Sequence, residues 1–210
     1  MTSLGINNKN VVQLAPNSLS NSGSPRPHRL FRTICCFLLV FELFSQKAAN
    51  AQGLSREYAV KAVLLFNLAQ FVDWPPGSFN APNDPIVIGI LGRDPFREIL
   101  DNVVRGETVN GRKIIVKRFT SVRAAQKAHI LFVCQSEEDN VDRIVSQLKE
   151  LPILTVSDIN NFARRGGMVR FFTNEENKIK LRINLDSVKQ PGLGISSKLL
   201  RVSEVERSKT

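Results

Sequence analysis

Cysteine and histidine are scarce in this chain of 210 residues, with three of the first and two of the second. Cys35 and Cys36 lie in an N-terminal apolar run, so only Cys134 is left downstream. A segment with one thiol closes no disulfide of its own and must be stable through its core. His129 is the one histidine after residue 28, which leaves no H-E-x-x-H pair and no zinc set. His129 and Cys134 are five residues apart on one predicted strand. An odd offset puts them on opposite faces, which excludes a Cys–His dyad. Ile195-Ser196-Ser197-Lys198 is not S-x-x-K, and Gly89–Pro95 lacks the G-x-G-x-x-G spacing of a dinucleotide site. No metal, cofactor or enzymatic activity is therefore expected. The longest apolar stretch also falls short of the roughly 20 residues that span a bilayer.

Acidic residues are missing from positions 1–32, where Lys9, Arg26, Arg29 and Arg32 stand. The short apolar run Ile34–Phe41 follows, then Ala49-Asn50-Ala51. A basic segment, a short apolar core and an A-x-A site are the parts of a secretory signal peptide. The expectation is a cleavable signal over 1–51, export to the periplasm, and a mature domain over 52–210. The formal charge of the whole chain is +10, and less of it remains after Gln52. A basic exported protein favours acidic partners or anionic surfaces. Nucleic acid is not expected, since no motif for it is present.

Downstream, apolar runs alternate with helix-like segments. Leu54–Trp74 reads as a helix apolar around most of its circumference, ended by Trp74-Pro75. Ile86–Leu91, Ile114–Phe119, Ile130–Cys134 and Ile153–Val156 read as strands covered on both faces. Pro95–Val104, Ser121–Lys127 and Glu137–Glu150 read as the helices between them. Met168–Phe172 and Ile179–Leu185 alternate at period two across a polar turn, with Lys180 and Arg182 guarding an edge. The fold class is α/β: a single domain with a mostly parallel central sheet flanked by helices and a C-terminal antiparallel hairpin.

In such a sheet ligands bind beyond the carboxyl ends of the strands. Arg93, Asp94, Gln135, Ser136, Ser157 and Asp158 are predicted there. Asp94-Pro95 reads as a helix N-cap, Ser136–Asp139 as a capping box, and Asp158 as a turn cap. Arg164, Arg165 and Arg170 around Gly166-Gly167 form either a solvated turn or a cradle for phosphate or carboxylate. Cys134 is either a small buried hydrophobe or an intersubunit thiol.

Several segments together resemble the YfiR family of periplasmic proteins. They include Tyr58–Asn67, Phe71–Pro75, Ile90–Phe96, Gly111-Arg112, Ile130–Val133, Leu154–Asp158, Gly166–Met168, Ile183–Leu185 and Gly192–Leu200. The resemblance implies a regulator, often dimeric, that binds the periplasmic sensor domain of an inner-membrane diguanylate cyclase. It implies repression of that cyclase, lower cyclic di-GMP and less biofilm, with membrane contact only through the partner. The family's best-known pattern has internal disulfides, which Cys134 alone cannot form. Trp74, Gly166, Gly167, Met168 and Asn184 carry structural parts of the motif. Ser196, Ser197 and Lys198 are the motif residues least explained by packing, and so are candidate contacts for a partner or ligand. The alternative reading is a small-ligand sensor feeding a kinase or transporter.

Overall fold

The computed structural model describes Gly53 and residues 56–206, which belong to one compact unit. The expected signal peptide lies outside the described residues. In chain order the elements are helix α1 (residues 56–68), β1 (Val72–Asp73), β2 (Ile86–Leu91), α2 (Glu98–Val104), β3 (Thr108–Val109) and β4 (Arg112–Phe119). Next come α3 (Val122–Ala125), β5 (Ile130–Val133), a 3-10 turn (Gln135–Asn140), α4 (Val141–Leu148), β6 (Leu154–Ser157), β7 (Val169–Thr173) and β8 (Ile179–Asn184). The chain closes with α5 (Leu185–Lys189), β9 (Gly194–Ile195), α6 (Ser197–Arg201) and β10 (Glu204–Glu206). Among the described residues, no helix is long and apolar enough to cross a membrane.

The main sheet has the order β10-β8-β7-β6-β5-β2-β4-β3. Strands β7, β6, β5, β2 and β4 run parallel, while β7 and β8 form the expected antiparallel hairpin. Alternation along each strand sends successive side chains to opposite faces. Ile86, Ile88, Ile90, Ile130, Phe132, Leu154 and Val156 face a layer built from α1, α2, α5 and α6. Val87, Leu91, Leu131 and Val133 face α3, α4 and the Ile159–Phe162 loop. Full burial of β2, β5 and β6 on both sides explains why those strands read as continuous apolar runs.

Four sequence expectations are corrected. The first helix does not reach Trp74; Val72 and Asp73 are extended because they pair with Ile195 and Gly194. Helix α2 starts at Glu98 rather than Pro95, since Arg97 adopts a left-handed φ of 52°. Asp94 still caps that turn, its Oδ1 accepting from the backbone N–H of Phe96 (2.7 Å) and Arg97 (3.2 Å). Ser136 does not cap its own helix, because its hydroxyl accepts from the N–H of Arg93 at 2.8 Å. Nor is β8 an open edge throughout: β10 pairs with Arg182, Ile183 and Asn184, and Arg182 bonds Glu204, while Lys180 stays on the half that β10 leaves uncovered.

The glycine pair after Arg165 is required by packing. A Cβ on Gly167 would lie 2.2 Å from the buried ring of Phe162, and Gly166 has a φ of 90°. Asn184 ties elements together as its apolar surroundings implied. Its Nδ2 donates to the Ala163 carbonyl (2.9 Å) while its Oδ1 caps α5 at Ser187 N (3.1 Å). Met168 is buried beside it, and its backbone carbonyl accepts from Asn184 N–H.

Candidate functional site

The chain leaves β2 through α2 on one face of the sheet and leaves β5 through α4 on the other. A crevice opens between such diverging connections at the carboxyl ends of the strands. The structure brings Arg93, Asp94, Gln135, Ser136, Ser157 and Asp158 to this end, as the strand assignments implied. Tyr58 and Lys61, one turn apart on α1, complete it.

Asp158 is the centre. Its Oδ2 accepts from the Tyr58 hydroxyl (2.8 Å) and from Lys61 Nζ (2.6 Å), and its Oδ1 accepts from Gln135 Nε2 (3.1 Å). Lys61 also reaches Glu57 Oε1 at 2.6 Å, at the solvent-facing rim. The side chains of Lys61 and Asp158 are only 5% and 4% exposed, so neither charge is supported by bulk water. The turn cap expected of Asp158 is supplied by Ser157, whose Oγ accepts from Ile159 N–H (3.0 Å) and donates to Val133 O (2.7 Å).

Neighbouring rings define the electrostatics. Lys61 Nζ lies 4.5 Å from the Tyr58 ring centre, and Tyr58 packs edge-on against Phe96 at 5.3 Å. Burial, reinforced by the Asp158 carboxylate, pushes the Tyr58 hydroxyl pKa up, so the phenol stays a donor. Burial likewise pushes the Cys134 thiol up and away from the reactive thiolate. Cys134 is 1% exposed within the apolar layer, which fits the small buried hydrophobe of its two readings. All donors around Asp158 are engaged, so the arrangement holds α1 to the strand ends and presents no activated nucleophile.

Beside this network lies a recess of about 220 Å³ lined by Glu57, Lys61, Asp158, Arg170, Phe172 and Thr173, among others. Arg170 is fixed there by bonds from Nε to Ile159 O (3.1 Å) and from Nη2 to Asn160 Oδ1 (2.6 Å). Burial, with the nearby Arg182 charge, lowers its pKa. Arg93 lies on the other side of Gln135, exposed and without an acidic partner among the described residues.

The remaining candidates are elsewhere. Arg164 pairs with Glu206 (2.8 Å), and Arg165 grips Asp142 through two 2.9 Å bonds and the Glu138 carbonyl (3.0 Å). Those two arginines pin chain segments, so the basic corner is not a free cradle for an anion. Ser196, Ser197 and Lys198 begin α6 at the opposite end of α1, where Ser196 N–H donates to Phe71 O (2.9 Å). Ser197 and Lys198 are exposed there. Among the described residues, no three His, Cys, Asp or Glu side chains converge as metal ligands.

Sequence reasoning missed Tyr58 and Lys61 as site residues because it treated their segment as an apolar core helix. The available signal was Lys61 itself, a charge inside the run Ala59-Val60-Lys61-Ala62-Val63. A lysine in such a run needs an acid across the interface.

The model of the YfiR/HmsC-like family matches residues 58–204. The chain belongs to the YfiR/HmsC-like family. Its matched span starts at Tyr58 and so contains the whole Tyr58–Lys61–Asp158–Gln135 network. No curated protein matches the chain. Membership in this regulatory family is consistent with a role in diguanylate cyclase signalling.

Proposed function

We propose that this protein is a periplasmic regulator that binds the periplasmic sensor domain of an inner-membrane diguanylate cyclase and represses it. The family match over 58–204 carries this reading. The site's chemistry supports it: a neutralised ion pair locks α1 in place, and a locked helix can present a defined surface to another protein. The signal-like segment before Gln52 supports export. Repression then works through differential binding, with the regulator favouring the inactive conformation of the cyclase. Deleting the gene should raise cyclic di-GMP in a host that expresses the cognate cyclase. An unchanged level under that condition defeats the reading.

A second reading, a small-ligand sensor, is favoured by the recess beside Asp158, where Arg170 and Lys61 converge with Phe172. A ligand at about 100 times its dissociation constant adds roughly 2.7 kcal/mol of stability. Thermal-shift screening should therefore reveal a stabiliser whose effect depends on Arg170, and a broad screen without any shift removes this reading.

A further inference from the structure

Each margin of the main sheet ends in a short strand that covers only part of its neighbour. On the β8 side, β10 pairs along Arg182, Ile183 and Asn184. On the other side, β3 covers only Arg112 and Lys113 of the eight-residue strand β4. The rest of β4 pairs with β2 alone, through the register Ile114–Phe119 against Ile86–Leu91.

Backbone parity identifies the groups left open. Ile114 N–H donates away from β2, to Glu107 O at 3.3 Å. In a strand, residues of the same parity direct their N–H and C=O to the same side. Val116 and Arg118 therefore turn both backbone groups outward, with no pairing strand among the described residues. This is an edge able to accept another extended chain.

The side chains say which kind of chain. Ile115 and Phe119 pack toward α3, and Lys117 projects on that same face, exposed and without an acidic partner among the described residues. On the opposite face, Arg118 is already held by Asp94 (2.9 Å) and Asp101, and Val116 packs toward the α2 layer. If two copies paired antiparallel through Val116 and Arg118, the twofold axis would pass through Lys117 and set two ammonium groups side by side. Like charges directly opposite are destabilising, whereas opposite charges in that position are favourable. Lys117 thus weighs against a second copy and favours a carboxylate opposite it.

We propose that the free edge of β4 is a docking strand for an extended, acidic segment of a partner protein. That segment would bond Val116 and Arg118 and place an Asp or Glu opposite Lys117. The proposal rests on the sheet edge and holds whichever protein the chain regulates.

The test is amide hydrogen exchange at Val116 and Arg118 in the purified protein, with a short peptide of alternating Thr and Glu as probe. Exchange at both amides should slow by about tenfold as they gain partners. Val116→Pro removes an outward N–H without touching the β2 ladder, so it should abolish the effect while thermal melting reports an intact fold. Lys117→Glu should lose the acidic probe and gain protection from an alternating Thr–Lys peptide, a reversal that decides the matter even if the proline variant misfolds. Unchanged exchange with the probe overturns the proposal, as does equal protection by both peptides in the wild type. Protection that rises with protein concentration alone would assign the edge to a second copy and overturn it too.

Discussion

The two ends of the central strands are fastened by opposite means. At the carboxyl end, α1 is held by full charges taken out of water: Lys61 between Asp158 and Glu57, with Tyr58 and Gln135 filling the remaining acceptor sites. At the amino end, the loop after β1 is held by a neutral ring. His129 Nδ1 accepts from Val87 N–H (3.0 Å), and Nε2 donates to Ser78 O (3.1 Å), which fixes the tautomer. Phe79 stacks on the imidazole at 4.4 Å, Trp74 meets it edge-on at 6.2 Å, and the Arg112 guanidinium lies 3.8 Å from the Phe79 ring centre. Trp74 thus anchors the exit from β1, not the end of a helix. Charges in a low-dielectric site bind strongly only while each is compensated, whereas the stacked ring loses its role only when it gains a proton. The carboxyl-end fastening should therefore fail when a partner is deleted, and the amino-end fastening when the pH falls.

The largest effect should come from Asp158→Ala, which leaves the Lys61 ammonium with Glu57 at the rim as its remaining acid and frees two further donors, Tyr58 and Gln135. Removing one member of a buried pair costs about 3–5 kcal/mol, readable as a lower urea midpoint. Replacing both partners, as Lys61→Met with Asp158→Leu, should recover only the part of that loss due to the unpaired charge, because the Tyr58 and Gln135 donors stay without their acceptor. If the double variant is as unstable as the single one, the loss lies in the Tyr58 and Gln135 donors and not in the ion pair.

A smaller effect is expected from His129→Phe. The stack on Phe79 survives, but Val87 N–H and Ser78 O lose their partner, at about 1–3 kcal/mol. The same variant separates the two ends by pH. Burial lowers the His129 pKa in the folded protein, so below about pH 6.5 the unfolded chain binds a proton that the folded chain resists. The histidine's contribution is complete above that pH and is lost as pH falls toward the folded pKa. Urea melts of the wild type should weaken over that acidic window, and the slope should flatten in His129→Phe. Identical slopes would mean another group titrates there.

The smallest effect should be that of Arg112→Ala. Arg112 donates to Ala81 O (3.0 Å) and Asp84 O (2.8 Å) besides covering Phe79. A half-buried cation over a ring is worth about 0.5–2 kcal/mol, so the midpoint should move slightly, and the pH slope should flatten a little because the Arg112 charge helps to hold the His129 pKa down. A loss as large as that of Asp158→Ala would make the amino end the dominant fastening and reverse the comparison.

Much of this was legible in the chain. Doubly buried parallel strands betray themselves as unbroken Ile, Val and Leu runs, and the period-two tail announced the β7–β8 hairpin. A signal that was present but unused is Asn110-Gly111, both with positive φ, which turns β3 into β4. The crevice residues after β2, β5 and β6 followed from the strand assignments. Their partners did not, because Tyr58 and Lys61 are about 100 residues from Asp158.

The sequence by itself determined the layers of the fold and the end of the sheet where polar side chains gather, because periodicity and strand ends are local properties. It also determined that Cys134 has no downstream thiol to pair with. Only the tertiary structure decided which charges neutralise one another, that Arg164 and Arg165 are occupied, that β10 covers the Arg182–Asn184 half of β8, and that most of β4 is left open. Those outcomes depend on contacts between segments distant in the chain, and the free energy of a buried charge or a bare strand edge is set by the neighbour that folding delivers.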